Sequence, residues 1–332
     1  MKGLPRGFVL YTILNSLAHA IWYTLFPIHL RSLGYSIGQA GLTSSLPQTL
    51  SFILALPAGL VADALSVRPI FIASSLGQAV AIALIPISPS SWTVISLLTI
   101  YTFFSVLRSQ SSLRAIAQQV SATRWGTGYS LYLLSVGASG AAGSYLSGFV
   151  AERMGFIPLY LISAAVFASS VFALYGFQDP HHSGRRLTLN LRTLRNSSFV
   201  SLTLSLTVHD VAIFALSPYV ALYQKEILSL TPYQMGLISA ASTLVSQLFQ
   251  PVSGYLADRL GARITLAIHY LGTSLGYVLI GLSSRFEEVA LASALQSVFL
   301  PMDMPSRRKL LSLMAGSAVA TVNGLSLSLI HI

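Results

Sequence analysis

Three ionisable side chains fall in the middle of long uncharged runs: His19, His209 and Asp210. A charge near the centre of an apolar span costs about 2.5–3.5 kcal/mol on insertion scales, so each asks for a reason. Asp210 is the only acidic residue deep in such a run. Groups of this kind suit the taking up of a proton or the pairing with a mobile charge. Asp303 and Arg307 stand four apart and would share one helix face. Asn15, Gln48, Gln78, Gln247 and Gln250 add neutral hydrogen-bonding groups, of which Asn15 and Gln247 are read as facing a cavity. His269 is read as turned away from it. The chain has no cysteine, which excludes disulfides, thiolate metal sites and a cysteine nucleophile. Its seven histidines are scattered, and no His-Glu-x-x-His occurs. A membrane-embedded enzyme would need clustered acids, bases or ligands. No catalytic residue, metal or cofactor is expected.

The elements that position these groups follow from composition. Of 332 residues, 54% are hydrophobic and 8% charged. A soluble domain carries about 25% charged residues. Mean hydropathy is +0.71. The chain must use lipid as the solvent for much of its surface. Uncharged runs long enough to span a bilayer predict helices near 8–30, 37–62, 69–87, 92–117, 126–151, 155–177, 199–223, 232–257, 264–283 and 288–312. A last apolar segment covers 315–332. Pro86 and Pro89 close one helix before Ser90 and Ser91 open the next. The expected class is all-α: a polytopic membrane protein of about 10–11 spanning helices.

Net charge is +10. The basic residues sit in short gaps between apolar runs, a pattern of membrane topology and not of nucleic-acid binding. With the N-terminus in the cytoplasm, the inner gaps hold Lys2, Arg6, Arg68, Arg108, Arg114, Arg124, Arg185, Arg186, Arg192, Arg195, Arg259, Arg263, Arg307, Arg308 and Lys309. The outer gaps hold only Arg31, Arg153, Lys225 and Arg285. The bias predicts a cytoplasmic N-terminus in a multi-pass plasma-membrane protein. The polar stretch 179–198 divides the chain into a six-helix bundle, 1–178, and a second bundle, 199–332. Its leucines, Leu187 to Leu194, predict a piece lying on the membrane surface.

The two parts repeat at an offset of 195 residues. Gln39-Ala40-Gly41-Leu42 matches Gln234-Met235-Gly236-Leu237, and Gly59-Leu60-Val61-Ala62-Asp63 matches Gly254-Tyr255-Leu256-Ala257-Asp258. Duplicated halves are common in secondary transporters, with the substrate at their interface. The glycines Gly59 and Gly254 would allow close helix packing.

The segment Gly254-Tyr255-Leu256-Ala257-Asp258-Arg259-Leu260-Gly261-Ala262-Arg263 resembles the signature loop of the major facilitator superfamily, Gly-x-Leu-Ala-Asp-Arg-x-Gly-Arg-Arg. Ala262 departs from it. The first-half copy keeps Gly59, Asp63 and Arg68 but has Ala64, Ser66 and Val67 where Arg, Gly and Arg are usual. Asp303-Met304-Pro305-Ser306-Arg307 is similar to a stretch in some members. Ser139 to Gly148 resembles the fifth-helix motif of the drug–proton antiporter branch, with Ser139, Ser144 and Ser147 departing from it. Small residues for tight packing are the simpler reading of that stretch.

The resemblance implies a secondary active transporter of a small organic solute working by alternating access between two pseudo-symmetric bundles. It also implies twelve spans and a cytoplasmic latch. Matching Arg307 to Arg114 at an offset of 193 pairs Asp63 with Arg114 and Asp258 with Arg307. Aligning Pro27 with Pro218 puts His19 opposite Asp210; facing each other across a cavity, the two would titrate as a pair. Proton coupling is therefore an expectation. The chain is expected to act as a monomer in the lipid bilayer. Counted against the repeat, the second half is short by about 40 residues, two helices' worth at about 20 residues each. A truncated, inactive transporter is the alternative expectation.

Overall fold

The computed structural model describes residues 5–88, 90–119, 125–177 and 197–315, apart from the side chains of a few of these. They form twelve α-helices. In the first half these are α1 (Arg6–Tyr23), α2 (Phe26–Ser32), α3 (Ile37–Ala64), α4 (Val67–Leu84), α5 (Ser91–Gln119), α6 (Trp125–Met154) and α7 (Ile157–Ser169). In the second they are α8 (Ser197–Glu226), α9 (Pro232–Arg259), α10 (Ala262–Leu282), α11 (Phe286–Phe299) and α12 (Asp303–Ala315). The chain is an all-α polytopic membrane protein of two pseudo-symmetric bundles. Seven of its helical stretches are long and apolar enough to cross a bilayer by length and composition.

Proline decides where two spans break. Pro27 sits in the first turn of α2, where its missing N–H costs nothing, so the first span is α1 and α2 with a bend at Thr24-Leu25. Pro301 does the same in the 3₁₀ turn between α11 and α12. Repeat-related helices start alike. Ser36 and Gln39 make a capping box at α3; Thr231 and Gln234 make one at α9. The α9–α10 turn needs Gly261, whose φ is +89°. The first-half loop at Ser66 is extended, with φ −67° and ψ 145°, so it tolerates serine there.

The core is asymmetric along the helix axes. At the end that carries Arg31, one apolar cluster joins the halves: Trp22, Leu25, Leu30 and Leu159 of the first pack with Leu222, Met235, Ile280 and Val289 of the second. At the end that carries Arg68 the cores are separate. Phe8, Tyr11, Phe71 and Ile116 cluster within the first half. Leu206, Ala262, Leu266 and Leu310 cluster within the second. Burying apolar area stabilises by roughly 25 cal/mol per Å² where it is removed from water; in lipid, packing and shape take over that role. The outward faces carry exposed Leu, Ile, Val and Phe, as lipid contact requires. The expected linker, 179–198, and the apolar segment 316–332 lie outside the described residues, except for the start of α8.

Candidate functional site

The two halves enclose a cavity of about 530 Å³. From the first half come Tyr23, Thr24, Pro27, Ser44 and Gln48. From the second come Phe214, Ser217 and Gln224 of α8, Ser239, Ser242, Thr243, Ser246 and Gln247 of α9, Tyr277 of α10, and Ser293, Gln296 and Ser297 of α11. Among the described residues, none of those lining it is Asp, Glu, Lys, Arg or His. Hydroxyls and amides project into it between aromatic and aliphatic walls. Gln247 lines the cavity and packs against Gly137 of α6.

Asn15 does not line it. Its amide donates to the Tyr11 carbonyl (3.0 Å) and to Ser170 Oγ (2.9 Å), and Ser75 Oγ donates to its Oδ1 (3.3 Å). It is fully buried and ties α1 to α4 and to the turn after α7. The helical period placed Asn15 mid-span but left its facing open between cavity and bundle interior, and the bundle interior wins.

His19 stands one layer behind the cavity wall. Its Nδ1 is 2.7 Å from the Tyr101 hydroxyl, and its ring stacks on Tyr23 at 4.9 Å. Tyr23 in turn donates to the Ser44 carbonyl at 2.8 Å and meets the Gln48 amide.

Asp210 is engaged elsewhere. Arg307 grips it with Nη1 to Oδ2 at 2.6 Å and Nη2 to Oδ1 at 2.7 Å. The same guanidinium holds Asp303 at 2.8 Å, so the i, i+4 pair on α12 forms as its spacing suggests. His209 Nδ1 lies 3.3 Å from Asp210. His269 packs 4.9 Å from the His209 ring and bonds to the Phe299 carbonyl at 2.9 Å. This ionic cluster joins α8, α10 and α12 inside the second half. His19 and Asp210 therefore do not meet in this conformation. At the repeat's own offset of 195, the counterpart of Asp210 is Asn15. Both serve as the buried polar tie of their bundle.

At the Arg68 end the second-half latch pairs Asp258 with Lys309 and not, in this conformation, with Arg307. Arg114 Nη1 donates to the carbonyls of Ala62 (2.5 Å) and Leu65 (2.9 Å), the last turn of α3. The Asp63 side chain lies outside what is described. In the second half the equivalent bonds come from Lys309, to the Ala257 carbonyl at 3.0 Å and to Asp258 at 2.8 Å. Arg307 is therefore not the partner of Asp258 in this conformation. Ala62 and Ala257 are 195 apart, as are Arg114 and Lys309. The expected Asp258–Arg307 pair came from an offset of 193, whereas the observed Lys309–Asp258 pair follows the repeat's own offset of 195. Arg259 lies over the Tyr255 ring at 5.7 Å. Arg68 and Arg263 are exposed.

Glycine shows where the halves touch. A Cβ on Gly148 of α6 would sit 2.9 Å from Gly236 Cα of α9, and one on Gly41 of α3 would fall 2.4 Å from the Tyr219 ring of α8. Beside Gly59 and Gly254 such an atom would meet nothing within 4 Å. Close packing is thus not what these two signature glycines provide here. The Arg31 end adds an ion pair across the halves, Arg31 Nε to Glu226 Oε1 at 2.8 Å, and the Tyr233 N–H donates to Glu152 at 3.2 Å. Sequence reasoning missed Lys309 and the Arg31–Glu226 pair. The offset of 195 links Arg31 to Glu226 and was the available signal.

The sequence model of the Major Facilitator Superfamily matches residues 8–201 and 202–332. Among curated proteins, the chain is 26% identical over 268 residues to a "Multi-drug resistance efflux pump PmrA homolog" of Lactococcus lactis, covering 76% of this chain and 65% of that one. It is 28% identical over 233 residues to "Multidrug resistance protein MdtG" of Dickeya zeae, covering 65% and 56%. It is 24% identical over 291 residues to "Nitrite extrusion protein" of Bacillus subtilis, covering 85% and 69%. The chain spans less than two thirds of the length of the first two. Among solved structures, a bacterial homolog to the human lysosomal transporter Spinster, in an inward-facing and occupied conformation, superposes with a TM-score of 0.76 at 12% identity, covering 97% of this chain and 77% of that one.

Proposed function

This chain belongs to the major facilitator superfamily, and we propose that it carries a small organic solute across the plasma membrane by alternating access. The observation that carries the reading is the pairing of glycines along two repeat-related helices. On α3 and α9, Gly41 and Gly236 are pressed against the opposite half, whereas Gly59 and Gly254 border open space. One face of the interface is shut and the other is apart, as a rocking two-body carrier requires.

The two bodies are residues 1–178 and 199–332, joined through 179–198, and the carrier works as a monomer. The basic-residue bias puts the N-terminus and the Arg68 end in the cytoplasm. The conformation is then open inward and closed outward. Rocking to the other state brings the signature loops together. Gly59, Asp63 and Arg68 with Arg114, and Gly254, Asp258, Arg259, Gly261 and Arg263 with Lys309, form the latch of that state. The two multidrug relatives favour export as the direction. Asp210, charge-compensated by Arg307 and bordered by two histidines, is the candidate for coupling to a proton gradient.

The absence of cysteine makes the test clean. Arg31→Cys/Glu226→Cys protein in liposomes is treated with a short bifunctional thiol reagent. Cross-linking should abolish solute exchange, and a cleavable linker should restore it on reduction. Exchange that continues in the fully cross-linked protein would sink alternating access through this face.

A further inference from the structure

Resting on the transport reading, we infer that the cavity selects an uncharged solute that hydrogen-bonds to both halves. A stripe of hydroxyls on α9 lines it: Ser239, Ser242, Thr243 and Ser246, at i, i+3, i+4 and i+7 of one helix face. The rings of Tyr23, Phe214 and Tyr277 line it too.

Two hydroxyls are left without a protein partner although their atoms are buried: Ser44 Oγ from the first half and Ser242 Oγ from the second. A buried hydroxyl seeks a partner, and leaving it unmade is costly. Both residues line the cavity, one from each half, so a rotation about the Cα–Cβ bond would turn each hydroxyl toward a solute group. Neighbouring hydroxyls are already committed: Thr243 to the Ser239 carbonyl at 2.8 Å, and Ser239 to Ser144 Oγ at 3.2 Å.

The charge balance gives the selectivity. Among the described residues no lining side chain is charged; Arg31 and Glu226 pair on one side, and on the other Asp210 and Asp303 share Arg307 behind the wall. A permanent cation entering here loses its hydration and gains no counter-charge in contact with it. Contact with a tyrosine or phenylalanine face recovers less than the desolvation of an unpaired ion costs. An anion such as nitrite gains no counter-charge either, since no cation lines the wall among the described residues. Serine hydroxyls and glutamine amides both donate and accept, so they match neutral alcohols and amides.

The test measures binding to the purified full chain in nanodiscs by equilibrium dialysis. The probes are chloramphenicol (neutral, with two hydroxyls and an amide), tetraphenylphosphonium and nitrite. Chloramphenicol should bind saturably and at least about tenfold more tightly than either ion. Ser242→Ala should weaken it about three- to tenfold, and Ser242→Thr, which keeps the hydroxyl, should stay within about threefold of the parent. Thermal melting of both variants checks that they fold. Equal or tighter binding of either ion, no saturable chloramphenicol binding, or a folded Ser242→Ala protein with unchanged affinity would each overturn the proposal. The cross-linking result is independent of the probe order. Its failure removes alternating access, while a charged-probe preference removes only the solute class.

Discussion

Arg307 holds Asp210 by two parallel hydrogen bonds of 2.6 and 2.7 Å, with 4% and 12% of their side chains exposed. Bidentate geometry of this kind is among the strongest a carboxylate can make. Removing one partner of a buried pair leaves an uncompensated charge and costs about 3–5 kcal/mol, whereas replacing both by apolar groups is often neutral. Arg307→Leu should therefore lower the thermal midpoint sharply, and Asp210→Leu/Arg307→Leu should recover much of the loss. Asp303 loses its partner in both variants, so recovery will be incomplete. Additive losses in the double variant would show that the pair is not coupled.

Coupling is tested at the same carboxylate. Asp210→Asn keeps the shape and removes the charge. If Asp210 links transport to a gradient, liposomes with this variant lose gradient-driven uptake and keep solute exchange. Uptake that still follows the gradient would remove Asp210 from the coupling mechanism and leave the pair a structural tie.

The Lys309–Asp258 pair should behave in the opposite way. Asp258 is 80% exposed and Lys309 36% exposed, so their attraction is screened. Such pairs are worth about 0–1 kcal/mol. Lys309→Met should barely move the melting point. Its expected effect is on turnover, because the residue sits at the signature loop that must re-pair when the other state forms. A melting loss as large as that of Arg307→Leu would show that Lys309 carries stability instead.

Much of this arrangement was legible in the sequence. The ten predicted spans coincide with α1 to α12 within a few residues, because lipid demands long apolar runs and the gaps are marked by Pro, Gly and charge. The repeat was legible too. What failed was the facing of side chains. Hydropathy says that Asn15, His19 and Asp210 lie within spans, but every side of such a helix is apolar, so the period carries little information on rotation. Matching Arg307 to Arg114, and Pro27 to Pro218, then set pairs at offsets other than the repeat's own. Holding the offset of 195 throughout would have matched Arg114 with Lys309 and Asn15 with Asp210. The empty space at Gly59 and Gly254 belongs to one state of a moving molecule, which no local motif encodes.

Gly236→Ala tests the closed face directly. Its Cβ would fall 2.7 Å from Gly148 Cα and from the Ser144 carbonyl oxygen, both backbone, so α6 and α9 must separate. The same change at Gly254 meets open space. With a single cysteine at Ser239, a membrane-impermeant thiol reagent added from the Arg31 side should react faster in Gly236→Ala than in the parent. Gly254→Ala should not show that increase. Equal rates in all three proteins would mean that the glycine contact does not hold the face shut.

The Arg31–Glu226 pair sets how firmly that face stays closed. It is the one ion pair between the halves among the described residues, with 28% and 32% of the side chains exposed. Arg31 also donates to the Tyr35 carbonyl at 2.5 Å, which fixes its direction toward α8. Half-exposed and open to salt, the pair is worth at most about 1 kcal/mol. For folding that is minor. For an equilibrium between two conformations it is not, since about 1.4 kcal/mol shifts a population ratio tenfold. Glu226→Arg replaces attraction by repulsion and should move molecules toward the state open at the Arg31 end, raising thiol labelling at Ser239→Cys from that side about two- to tenfold. The swap Arg31→Glu/Glu226→Arg restores opposite charges and should bring labelling back. Salt gives the second signature. Raising ionic strength from 0.01 to 1 M shortens the screening length from about 30 to 3 Å, so labelling of the parent should rise and that of Glu226→Arg should fall. A charge swap that labels like the single reversal would show that side-chain bulk at this face, and not the ion pair, holds it closed.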